Sequence, residues 1–81
     1  MSDDRTVRDA MLETVLNQIE TGDPPETKQT YDRLIAAGQS KSQALQHIAA
    51  VLRVEMGRML KESTPFDNKR FAELLSQIPD D

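Results

Sequence analysis

Among the side chains whose types do acid–base or metal chemistry, fourteen Asp and Glu and one His, three are singled out as candidates: Glu26, His47 and Glu55. An enzyme using them would need all three to converge on one concave pocket. His47 and Glu55, however, lie two turns apart on one expected helix, about 12 Å at 1.5 Å per residue. They cannot share a metal ion without help. The chain also lacks the H-x-x-x-H or E-x-x-H pairs with which helical bundles build metal sites. Ser40, Ser42, Ser63 and Ser76 lie in no motif that would activate a nucleophile. No catalytic residue, metal ligand or cofactor is therefore expected, and a small metal-dependent or acid–base enzyme using Glu26, His47 and Glu55 stands as the alternative reading.

Glu55 is the least expected of the three in its position. Taking about 100° per residue along 40–63, Leu45, Ile48, Ala49, Leu52, Met56, Met59 and Leu60 fall in one broad apolar arc, which Ala44 and Val51 extend. Glu55 falls inside that arc. A buried carboxylate needs a cation, a hydroxyl or free backbone N–H groups. The helix start at Asp23-Pro24-Pro25-Glu26 is the expected donor of such N–H groups, so that Glu55 fastens two helices. Glu26, His47 and Glu55 are thus read as buried polar residues of structural role, with His47 half-buried at the edge of the arc.

These residues are positioned by four helical segments. Val7, Met11, Leu12, Val15, Leu16 and Ile19 repeat at three- and four-residue steps and predict a helix over about 4–20, with Ser2, Asp3 and Asp4 as candidate caps. Gly22 suits the left-handed residue that follows a helix end. A second helix over 25–37 starts at the two prolines, with Asp23 as its cap and Glu26 complementing its dipole. It places Thr27, Tyr31, Leu34 and Ile35 on one face. Gly38 ends it. The third helix, over 41–62, is capped by Ser40 or Ser42 and contains Gly57, which costs about 1 kcal/mol relative to alanine. Either this glycine is a slight weakness or it admits another backbone. Thr64-Pro65 stops the helix, and Asp67 or Thr64 caps a fourth, over 67–78, in which Phe71, Leu74, Leu75 and Ile78 share a face. Residues 1–3 and 79–81 are expected to fray.

Composition narrows the class of protein. At 81 residues with no cysteine, the chain has room for a single domain with one thin aliphatic core, and a reducing cytoplasm is the expected location. Fourteen acidic residues against ten basic ones leave a net charge of −4, which disfavours nucleic acid and anionic membranes as partners. The segment 34–45 has the helix–turn–helix outline of a DNA reader, but Lys41, Gln43 and Gln46 supply no arginine cluster. The acidic start MSDDR lacks the features of a secretory signal, and no run is long and apolar enough for a membrane span.

Two resemblances bear on function. Gly38 leading into a helix with Ala44-Leu45 is similar in outline to ubiquitin-associated domains, although Gln39 stands where those domains usually carry an aromatic residue. That likeness implies peptide or protein binding through the Gly38 turn. Over 23–75, the order DPPE, TYDRLIAAG, ALQHIAAVLRVEM and PFDNKRFAELL resembles a small all-helical bacterial family of unknown function. Glu26, His47 and Glu55 fall on polar positions of that pattern, and the likeness brings no activity with it.

The expected fold is all-α, a small four-helix bundle organised around its long third helix. Met56, Met59 and Leu60, near the far end of that helix, are flexible apolar groups suited to adaptable contacts. A protein-interaction module or self-associating subunit is the expected function, with a protein partner or a second copy as ligand.

Overall fold

Each of the four periodic segments forms a helix in the computed structural model, which describes residues 3–79 and side chains from residue 7 onward. The helices are α1 (Asp3–Thr21), α2 (Pro25–Ala36), α3 (Lys41–Glu62) and α4 (Asn68–Ser76), and no strand occurs among the described residues. The all-α four-helix reading holds, and every boundary falls within about two residues of its expected place. Asp3 belongs to α1 and Pro79 follows α4 as irregular chain. The fraying expected at residues 1, 2, 80 and 81, and the cap expected of Ser2, lie outside the described residues.

The helix ends show why the chain turns where it does. Gly22 and Gly38 take the positive φ angles, 72° and 100°, that close α1 and α2, a conformation glycine adopts without steric cost. Ser40 caps α3 through a complete capping box. Its Oγ accepts from the Gln43 N–H, and Gln43 Oε1 accepts from the Ser40 N–H, so that two donors at the helix start are satisfied reciprocally. At the other end Ser63 is left-handed, and the Ser63 and Thr64 N–H groups both donate to the Met59 carbonyl.

One expectation at α2 is corrected. Its N-cap is Pro24 rather than Asp23, and no side chain caps it. Pro24 and Pro25 carry no N–H, and the Thr27 N–H donates to the Pro24 carbonyl. Few donors are thus left for any cap to satisfy.

A single core joins the four helices. Val15 of α1, Leu34 of α2, Ala44, Leu45, Ile48, Ala49 and Leu52 of α3, and Phe71, Leu75 and Ile78 of α4 and its C-terminal turn are buried together. α3 supplies half of that set because its apolar arc is the widest. Contacts run from α3 to each of the other helices and from α2 to both α1 and α4, whereas among the described residues α1 and α4 do not touch. The two outer helices therefore flank a central α2–α3 pair. Across α1 and α2 the buried Thr27 hydroxyl donates to Gln18 Oε1 at 3.0 Å. The face expected of α2 is shifted by one position at its edge, since Thr30 is buried while Ile35 is exposed.

Candidate interaction surface and the buried carboxylate beside it

Glu55 is fully buried, as its place in the arc requires, and both of its oxygens are engaged. Oε1 accepts from Arg58 Nε at 2.9 Å and faces Arg70 Nε at 3.4 Å. Oε2 accepts from Arg58 Nη2 and from the backbone N–H of Asp67 at 3.2 Å. The paired Arg58 donors hold the carboxyl below the usual carboxylate range, with the Asp67 N–H and the charge of Arg70 acting in the same direction against the cost of burial. The same carboxylate raises the pKa of the Arg58 guanidinium. Glu55 is thus a charged, satisfied group.

The helix start that satisfies it is not the one the sequence suggested. The two prolines of α2 remove the N–H groups that Glu55 would have needed, and α4 supplies one instead. Asp67 is the N-cap of α4, and its carboxylate accepts from the Arg70 N–H at 3.1 Å. In a complete capping box the third helical residue would return a side chain to the N-cap N–H. That residue here is Arg70, a donor, which points its guanidinium toward Glu55. Glu55 of α3 takes over the missing half of the box. Phe66, just before the cap, meets Phe71 edge-on with ring centroids 5.4 Å apart, which is the hydrophobic staple of a helix start.

The opposite end of α4 is held in the same manner with the opposite charge. Arg33 of α2 donates from Nη1 to the Ile78 carbonyl at 3.0 Å and from Nη2 to the Leu75 carbonyl at 3.1 Å. A carboxylate at the N-terminal end and a guanidinium at the C-terminal end both complement the helix dipole. A nine-residue helix is too short to be stable alone. Its neighbours fix it at both ends.

The other residues singled out from the sequence do not join Glu55. Glu26 is half-buried in the first turn of α2, where its charge favours the helix start. His47 is exposed rather than half-buried. The physical reason is its place on the wheel, on the outer side of Val51, where α4 does not close over it. Among the described residues no three of His, Asp and Glu converge so as to hold a metal ion.

His47 instead lines an open groove of about 320 Å³ between α3 and α4. Its α3 wall is His47, Ala50, Val51 and Val54, and its other wall is Leu74, Gln77, Ile78 and Pro79. Val54 remains 59% exposed. The groove was missed because Val54 falls outside the main arc, and the signal for it is the spacing of Ala50, Val51 and Val54, a second, narrower apolar stripe on α3. The methionine end of the helix behaves differently. Met56 is half-buried and packs against the core, Met59 is half-buried, and Leu60 is 85% exposed. Only Leu60 of that trio leaves most of its side chain exposed.

Among the described residues no helix is long and apolar enough to cross a membrane. No protein-family model matches the chain, and no curated protein or solved structure matches it either. Function is therefore argued from the geometry alone.

Proposed function

We propose that this chain is a small protein-interaction module of the cytosol, with the groove between α3 and α4 as its contact surface. The observation that carries this reading is Val54, a β-branched side chain 59% exposed at the lip of an apolar groove. Covering it removes apolar surface from water at about 25 cal/mol per Å². Leu60 is a second anchor farther along α3. The enzyme alternative finds less support, because Glu55 already spends both oxygens on Arg58, Arg70 and the start of α4. Releasing it for proton transfer would undo a helix start. Nucleic acid is likewise not the proposed partner, since Arg58 and Arg70 are committed to Glu55.

The test compares variants on one folded background. Val54→Glu places a charge in the groove without touching the core, while Gln29→Glu places one on an exposed site of α2. If the groove is the contact surface, whatever binds the wild-type chain, a second copy included, is lost with Val54→Glu and kept with Gln29→Glu. Equal binding by the two variants would contradict the assignment.

A further inference from the structure

We infer that α1, α2 and α3 form a receptor for an amphipathic helix, and that α4 is its resident occupant, exchangeable for a helix of another protein carrying the same apolar anchors. The surface concerned is the cleft beneath α4, between α2 and α3, and not the groove outside it. The inference therefore goes beyond the groove reading and stands without it.

α4 is bound as a helical ligand is bound. It packs on α2 and α3 and, among the described residues, does not touch α1. Phe71, Leu75 and Ile78 are buried and Leu74 is half-buried, whereas Lys69, Arg70, Glu73 and Gln77 are exposed. The inward residues stand at i, i+3, i+4 and i+7, the spacing by which an apolar groove reads one face of a helix.

The hydrogen bonds at its two ends go to backbone groups. Glu55 accepts from the Asp67 N–H, Arg33 donates to the Leu75 and Ile78 carbonyls, and Gln39 Nε2 reaches the Pro79 carbonyl at 3.4 Å. Any helix offers free N–H groups at its start and free carbonyls at its end. A carboxylate at one end of the cleft and a guanidinium at the other match the helix dipole in one orientation only, which sets the direction of the occupant. Among the described residues Arg70 is the one α4 side chain that meets a charge of the cleft, Glu55 at 3.4 Å, and it is itself 52% exposed. The cleft thus selects a helix by its ends and by four apolar side chains, and leaves the outward positions unread. The partner that fits is a short amphipathic helix with an acceptor N-cap, an aromatic residue four positions after the cap, and aliphatic residues three, four and seven positions beyond the aromatic.

The tether over residues 63–67 keeps α4 at high effective concentration against such a rival. α4 has nine residues, too few to stay helical once undocked. A rival helix that takes the cleft therefore meets no preformed competitor.

The test is competition in the full chain. The probe is a fluorescent peptide of residues 65–79, added to the wild type and to the Phe71→Ala and Ile78→Ala chains. Phe71→Ala removes the main anchor of the resident helix and lowers its hold on the cleft by about 100-fold or more. The peptide is expected to bind that chain saturably and about 100-fold tighter than it binds the wild type. Ile78→Ala should show the same effect to a smaller degree. Where a variant loses helical content, the peptide is expected to restore it. A second peptide that keeps the residues at positions 67, 71, 74, 75 and 78 and replaces the exposed ones should bind comparably, and the peptide carrying Phe71→Ala should not bind.

No saturable binding and no recovery of helix with either variant chain would overturn the inference, as would equal binding of the peptide with and without its phenylalanine. Binding of the native peptide but not of the second one would overturn it too, because recognition would then rest on the outward side chains. The two readings fail separately. Val54→Glu, at the lip of the outer groove, is expected to leave peptide binding to the Phe71→Ala chain unchanged, whereas the groove reading requires it to abolish binding of the partner.

Discussion

Glu55 ties α3 to the start of α4. Its carboxylate is buried, bidentate to Arg58 and shared with the start of α4. Removing one member of a fully buried ion pair costs about 3–5 kcal/mol. Arg58 can still reach Glu62 and Thr64, so Glu55→Gln is expected to lose somewhat less, about 2–3 kcal/mol at neutral pH by urea unfolding. The sign of the pH dependence follows from the direction of the shift. The folded carboxyl titrates below its ordinary value of 4.5, so its contribution is fully present above that pH and is lost as pH falls through the depressed folded value. The stability gap between wild type and Glu55→Gln should therefore hold from neutral pH down to about 4.5 and narrow below it. A gap independent of pH would mean that the charge of Glu55 is not what matters. Gly57 gives a simpler expectation. A Cβ there would meet nothing within 4 Å, so no backbone within the chain needs the space. Gly57→Ala should raise the stability of the fold by up to about 1 kcal/mol, measured in the same unfolding experiment.

At the scale of the element, α4 shows what was legible in the sequence and what was not. Its periodicity placed the helix, and Asp67 was readable as its cap because acceptor side chains at that position satisfy the first free N–H groups. The place of Glu55 in the apolar arc correctly required a cation or a helix start as partner. Which helix start supplies that partner is not legible, because Pro24 and Pro25 mark a helix start and at the same time remove two donors. The role of Arg33 at the far end of α4 left no local trace, since it is 42 residues from the Leu75 carbonyl it reaches. The exposure of His47 is likewise not legible in the sequence. A helical wheel gives the direction of a side chain but not where the neighbouring helix lies, and α4 leaves that flank open. The Phe66–Phe71 staple was present in the sequence as aromatic residues on either side of a cap, five positions apart, and is legible once the cap is fixed.

At the scale of the molecule, two central helices carry an outer helix on each side, and the groove proposed as contact surface exists only because α4 is docked beside α3. Leu74, Ile78 and Pro79 form one wall of the groove, and the charges of Glu55, Arg58 and Arg33 hold that wall in place. The proposed interaction module is thus a helix pair, α3 with α4, whose geometry is fixed by ion pairs at its ends and by a shared core along its length. The most direct test of this account is amide hydrogen exchange along the whole chain in Glu55→Gln and in the wild type. Expected is a loss of protection concentrated in the α4 amides, with α1, α2 and the first half of α3 reduced only as far as the global stability falls, because α4 opens as a unit once its N-terminal anchor is weakened. Uniform loss throughout the chain, or α4 protection equal to that of the wild type, would contradict the claim that the buried carboxylate holds α4 in place.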